Sequence, residues 1–78
     1  MKVSAYIIAY NEAEKIADAV NSVLWADEIV VADSNSADGT DRIAQELGAR
    51  VVQIPFEGFG PLRNRVIEAC THDWIFSL

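Results

Sequence analysis

Glu28-Ile-Val-Val-Ala-Asp33-Ser-Asn-Ser-Ala-Asp38-Gly39-Thr40-Asp41 decides the fold of this chain, because an apolar strand runs straight into a polar loop that opens with a carboxylate. Where a parallel strand ends and a helix begins, unpaired backbone groups and a fixed acid can hold a ligand. The sequence on either side repeats the same strand, loop and helix plan.

Upstream, Val3-Ser-Ala-Tyr-Ile-Ile-Ala9 is a nearly continuous apolar run, which fits a strand buried on both faces as parallel sheets require. It ends at Tyr10-Asn11-Glu12. Asn11 is placed to cap the next helix, with Glu14 completing a capping-box-like arrangement. Ile16, Ala17, Val20, Val23 and Leu24 recur at helical spacing, which predicts a helix from about Ala13 to Leu24 with Trp25 packed at the turn.

Downstream, a helix is expected from about Thr40, with Ile43, Ala44 and Leu47 on one face and Gly48 at the left-handed stop. Arg50 to Ile54 reads as a third strand closed by Pro55. The loop Phe56-Glu-Gly-Phe-Gly60 leads to Pro61, suited to the first position of a third helix carrying Leu62, Val66, Ile67 and Cys70. Trp74 to Leu78 reads as a fourth strand. Strands alternating with helices of about ten residues predict an α/β fold with parallel pairing and right-handed crossovers. The simplest arrangement is four parallel strands in order 3-2-1-4, with the ligand crevice at the carboxyl ends of strands 1 and 4.

Length and composition narrow the function. Seventy-eight residues make at most one small domain, and a chain this size hides only ~60% of the surface its unfolded form exposes. One cysteine, Cys70, cannot form an internal disulfide and fits a reducing compartment; it reads as a small apolar helix residue, with no base placed to activate it. A net charge of −6 disfavours nucleic acid and anionic bilayers. Apolar runs fall far below the ~20 residues that cross a membrane, and Met1-Lys2 leads into a strand rather than a signal peptide, so a cytoplasmic protein is expected.

Ala9-Tyr-Asn-Glu12 lacks the glycines of a dinucleotide loop, and there is no Walker loop. A calcium loop fails in both registers: from Asp33 the required glycine position holds Asp38, and from Ser34 the first ligand is Ser and the last Gln45. Asp38 or Thr40 reads as a helix cap and Gly39 as a turn residue. Asp33 closes an apolar strand at the crevice edge, where it either binds a base or ribose or forms a structural Asx turn.

Arg63 and Arg65 are expected in the first turn of the third helix, where a cation opposes the dipole by ~0.3–1 kcal/mol. A hydrogen bond to a charged group contributes ~1.5–3 kcal/mol, so a diphosphate partner would offset that cost. The alternative is a solvated arginine or a pair with Glu57. His72 beside Asp73 reads as a capping or exposed residue. Phe56 and Phe59 read mainly as loop anchors.

Ile7-Ile8-Ala9-Tyr10-Asn11-Glu12, then Glu28 to Thr40, then Gly60-Pro-Leu-Arg63-Asn64 together resemble the amino-terminal half of a family 2 glycosyltransferase, across essentially all 78 residues. Trp25-Ala-Asp-Glu28 is similar to bacterial transferases of lipopolysaccharide-core sugars. The resemblance implies a partial GT-A, Rossmann-like three-layer fold that binds a nucleotide-diphosphate sugar of the uridine type. It implies that Tyr10, Asn11 and Glu12 contact base and ribose, that Asp33 hydrogen-bonds the uracil or its sugar, and that Arg63 and Asn64 lie near the diphosphate. Ala37, Pro61 and Leu62 depart from the family's usual residues.

The family's Asp-x-Asp motif, which holds Mn2+ or Mg2+, follows a strand like Trp74 to Leu78 and is absent here, as is the acid that deprotonates the acceptor. Residues 1–78 are therefore expected to be the nucleotide-sugar-binding half of the domain, truncated before that motif, with no catalytic residue, no metal of its own and no transfer activity alone. The full-length protein is expected to work at the inner face of the membrane. Residues 74–78 are an exposed edge expected to self-associate. The alternative class is a noncatalytic α/β binding or protein-interaction module.

Overall fold

The computed structural model describes residues 2–78, with the side chain of Phe59 outside the described part, so the loop-anchor reading of Phe59 and any reading of Met1 fall outside it. The elements run β1 (Val3–Ala9), α1 (Ile16–Ser22), β2 (Glu28–Asp33), α2 (Thr40–Glu46), β3 (Arg50–Gln53), α3 (Phe59–Ala69) and β4 (Trp74–Ser77). All three strand pairs are parallel, and the spatial order is β3-β2-β1-β4. The order expected from the sequence is the observed one.

The apolar runs divide between the two faces by the two-residue period of a strand. Ala5, Ile7 and Ala9 of β1 with Ile29 and Val31 of β2 pack on one face against Ile16 and Val20 of α1 and Ala44 of α2. Tyr6 of β1 with Val30 and Ala32 of β2 packs on the other against Leu62 and Val66 of α3. Both central strands are thus covered twice, which explains why they show no polar alternation. Ile67, expected on the inner face of α3, is exposed, as is Leu24.

Helix boundaries moved in two places. Helix α1 begins at Ile16 rather than near Ala13, after a turn in which Lys15 and Ile16 donate to the carbonyl of Glu12. Asn11 is not its cap: at φ 50° it is left-handed, and its side chain reaches across to the next loop instead. Helix α3 begins two residues earlier than expected, after Gly58 at φ 110°, so Pro61 is its third residue rather than its first. Proline is tolerated there because that amide has no intrahelical acceptor anyway. Arg63 and Arg65 consequently stand in the second turn, where the dipole opposes them less.

Gly48 ends α2 at φ 97°, a left-handed stop where a side chain would be strained. Strand β4 is an outer strand, paired to β1 on one side, with Trp74, Phe76 and Leu78 exposed. Trp25 is also exposed and meets Phe76 edge to face at 5.2 Å. Among the described residues no helix is long and apolar enough to cross a membrane.

Candidate functional site

The loops that leave β1 and β2 at their carboxyl ends are fastened together by side chains 25 residues or more apart in sequence. The amide of Asn11 donates to Ser36 Oγ at 2.7 Å, and Ala37 N donates to Asn11 Oδ1 at 2.9 Å. One residue on, Glu12 N donates to Thr40 Oγ1 at 2.9 Å, and Ala13 N donates to Asp38 Oδ2 at 3.0 Å. A left-handed Asn costs on the order of 1 kcal/mol; these bonds offset it and set the direction in which Tyr10 and Glu12 leave the sheet.

Two carboxylates anchor the fastening. Asp33, fully buried at 0% exposure, accepts from Ser36 Oγ at 2.5 Å, Ser36 N at 3.0 Å and Gln53 Nε2 at 2.9 Å. Asp38 accepts from Thr40 Oγ1 at 2.5 Å and from Thr40 N at 3.1 Å. The Thr40 hydroxyl, joined by the Ala13 and Thr40 amides and opposed by desolvation, holds the Asp38 carboxyl below the usual carboxylate range. Asp38 also completes the entry to α2, where Gly39 at φ 89° turns the chain so that Thr40 can be the first helical residue. The turn expected at Gly39 is present, but the cap residue is Gly39 itself and not Asp38 or Thr40, whose side chains are bound to each other.

Above these loops, on the α3 side of the sheet, lies an open cavity of about 600 Å³ lined by Ile8, Ala9, Tyr10, Glu12, Ser34, Phe56 and Leu62. Tyr10 is 62% exposed and Phe56 57%, so two aromatic side chains from different loops border one space. Its floor is apolar and its rim polar, the usual composition of a small-molecule site. Of the residues singled out from sequence, Tyr10 and Glu12 line it directly. Asp33 lies one residue before the lining Ser34, with its carboxylate turned into the loop as a structural turn. Asn11 holds the loops together, and Arg63 and Asn64 follow the lining Leu62 on α3, both exposed. Arg63 makes no ion pair with Glu57 among the described residues, whose ion pair joins Arg50 and Glu28.

At the opposite, amino-terminal end of the strands the structure shows a residue that sequence reasoning passed over. Glu28 accepts from Ser4 Oγ, Thr71 N and Thr71 Oγ1, each at 2.8 Å, and from Arg50 at 3.3 Å. Arg50 also donates to the carbonyl of Ala69 at the end of α3. His72 donates through its backbone amide to Ser4 Oγ at 3.1 Å, so its role is structural. Desolvation raises the Glu28 carboxyl, but Thr71, Ser4 and Arg50 outweigh it and bring it from 4.5 down to about 2. Only the position of Glu28 at a strand start hinted at this, since its partners are local to no sequence pattern.

Cys70 is half-buried against the α3 face of the core. Burial raises its thiol, Glu28 adds to the rise, and Arg50 opposes it. The thiol therefore stays protonated at neutral pH, and its alkylation by iodoacetamide at pH 7.5 should be slower than that of a free cysteine peptide. An equal or faster rate would contradict the burial described here.

Among the described residues no three His, Cys, Asp or Glu side chains converge on a position that could hold a metal ion. The residues present therefore do not fit the divalent cation that the family resemblance implies.

Comparison with known proteins agrees with this architecture. The profile of glycosyl transferase family 2 matches residues 4–78. An uncharacterized glycosyltransferase of Rickettsia felis is 44% identical over 78 residues, covering 99% of this chain, which in turn spans 28% of that protein. The lipopolysaccharide core biosynthesis glycosyltransferase LpsC of Rhizobium meliloti is 29% identical over 83 residues, a match that covers 100% of this chain and 31% of LpsC. Among solved structures, glucosyl-3-phosphoglycerate synthase from Mycobacterium tuberculosis, crystallised with Mn2+, uridine diphosphate and glucosyl-3-phosphoglycerate, superposes with a TM-score of 0.84 at 30% identity. That match covers 99% of this chain and 32% of the synthase. The fold is that of the GT-A glycosyltransferases, seen here as four parallel strands in order β3-β2-β1-β4 with three helices. With nearly all of its sequence matched by the family profile, the chain belongs to glycosyl transferase family 2.

Proposed function

We propose that residues 1–78 are the nucleotide-sugar-binding part of a glycosyltransferase that moves a sugar from a nucleotide diphosphate, of the uridine type, to an acceptor hydroxyl. The observation that carries this reading is the meeting of Tyr10, Glu12, Ser34 and Phe56 around one cavity at the carboxyl ends of β1 and β2. The uridine diphosphate held by the mycobacterial synthase supports the choice of base.

In this reading the exposed ring of Tyr10 stacks on the base, and such stacking contributes about 1–3 kcal/mol. Asn11 keeps the loop in place, Glu12 meets the polar edge of the base or its ribose, and the buried Asp33 supports that edge from beneath through Ser36. Arg63 and Asn64, which directly follow the lining Leu62 on α3, neutralise and hydrogen-bond the diphosphate, which a guanidinium does with about 1.5–3 kcal/mol per bond. These residues bind and orient the donor. None is placed as a base for the acceptor, so these 78 residues alone are inactive in transfer. In a protein of the relatives' length, a divalent cation would be held by residues outside the stretch equivalent to these 78. The likeness to LpsC supports an acceptor in lipopolysaccharide-core synthesis. The exposed outer edge of β4 is the place where two copies would pair; light scattering that shows one monomeric mass at all concentrations would contradict such pairing.

Calorimetric titration of the chain with uridine diphosphate in metal-free buffer should give saturable binding, weaker with adenosine diphosphate. No heat with either nucleotide would contradict the proposal and favour a noncatalytic module.

A further inference from the structure

The two fastenings between the loops share one plan. In each, a carboxylate grips a hydroxyl through both its O–H and the backbone N–H of the same residue, and the hydroxyl oxygen accepts a backbone N–H from the opposite loop. Asp33 grips Ser36, which receives Asn11 N. Asp38 grips Thr40, which receives Glu12 N. The paired N–H and O–H contacts leave each hydroxyl hydrogen committed to its carboxylate, so its lone pairs are aimed at the amide opposite. The two donating amides are consecutive, and the residues carrying them sit directly after Tyr10. Asn11 is held at φ 50°, a left-handed conformation that Asn tolerates better than most L residues.

We propose that Ser36 and Thr40 are positioning residues: their hydroxyls, anchored by Asp33 and Asp38, fix the backbone of residues 10–12 and so aim Tyr10 and Glu12 into the cavity before any nucleotide arrives. For its functional half this rests on the nucleotide-binding role proposed above. Its structural half does not. Neither hydroxyl needs to touch the ligand; each lowers the ordering cost of binding by holding the loop ready.

Amide hydrogen exchange on the ligand-free chain tests the structural half. Ser36→Ala should speed exchange at Asn11, and Thr40→Val should speed it at Glu12, each by about five- to tenfold, the effect of one hydrogen bond. The core amides of Val30 and Val31 should keep their protection, which shows that the variant is folded. Thr40→Ser, which retains the hydroxyl, should restore the Glu12 amide. Exchange at Asn11 and Glu12 unchanged in both variants would overturn the proposal. Titration with uridine diphosphate tests the functional half: both variants should bind about five- to tenfold more weakly, with Thr40→Ser near wild type. Wild-type affinity in variants whose loop amides have lost protection would show that the loop needs no positioning. Failure of the wild-type chain to bind, with amide protection lost as expected, would instead remove the nucleotide-binding role and leave the fastening intact.

Discussion

Glu28→Gln is expected to lower the unfolding free energy at pH 7 by about 2–4 kcal/mol, since it strips four donors of a carboxylate acceptor at the place where four strands begin. For a domain of this length the whole stability is on the order of 4–12 kcal/mol, so the loss is a large share of it. The sign of the pH effect follows from the lowered carboxyl, which moves from 4.5 unfolded to about 2 folded. The stability it contributes is fully present above pH 4.5 and disappears as the pH falls toward 2. Its ceiling is about 3 kcal/mol by the linkage relation, for a side chain that is 18% exposed. Urea unfolding at a series of pH values measures it directly. The wild type should lose stability steeply across this window, and Glu28→Gln should be flatter by the amount it lacks at pH 7. Parallel curves for the two proteins would show that Glu28 is not the residue that titrates.

The largest effects on binding are expected at Arg63 and Tyr10, and the two differ in kind. Arg63→Ala should weaken uridine diphosphate by about 10- to 100-fold, the equivalent of one charged hydrogen bond, while leaving uridine nearly untouched. Tyr10→Ala should weaken both ligands by a similar factor, because the ring meets the base and not the phosphates. Neither change should alter stability by more than about 0.5 kcal/mol, since both side chains are exposed. If Arg63→Ala binds the diphosphate as tightly as wild type does, the diphosphate does not lie along α3.

The sheet was legible because its central strands are covered on both sides, and continuous runs such as Ile29 to Ala32 have no other comfortable place in a small α/β domain. Strand order followed from the alternation of elements. What local reading could not show was any bond spanning a long stretch of chain. Asn11 was read as a helix cap because an amide side chain before a helix usually is one; its partner, the amide of Ala37, lies 26 residues on. Glu28 looked like one more charged strand terminus, since Ser4, Arg50 and Thr71 converge on it only after folding.

The candidate site was half legible in the same sense. Motif order brought out Tyr10, Glu12 and Arg63, and the cavity gives the first two a shared space. Ser36 and Thr40 carried no such signal, because a hydroxyl in a polar loop is ordinary until its neighbour across the gap is known. Sequence alone leaves Asp33 between ligand contact and turn, whereas in the structure its carboxylate is committed to Ser36 and Gln53.

In the function proposed above, polar segments far apart in sequence form one rim that holds a uridine-type nucleotide. Its most direct test is a titration of the isotope-labelled chain with uridine diphosphate, followed through backbone amide chemical shifts. Saturable shifts are expected at Tyr10, Glu12, Ser34, Phe56 and Arg63 only, with Lys2, Thr71, His72 and Trp74 around the cavity at the other end of the strands unmoved. Shifts centred on that second cavity, or an unchanged spectrum at saturating nucleotide, would contradict it.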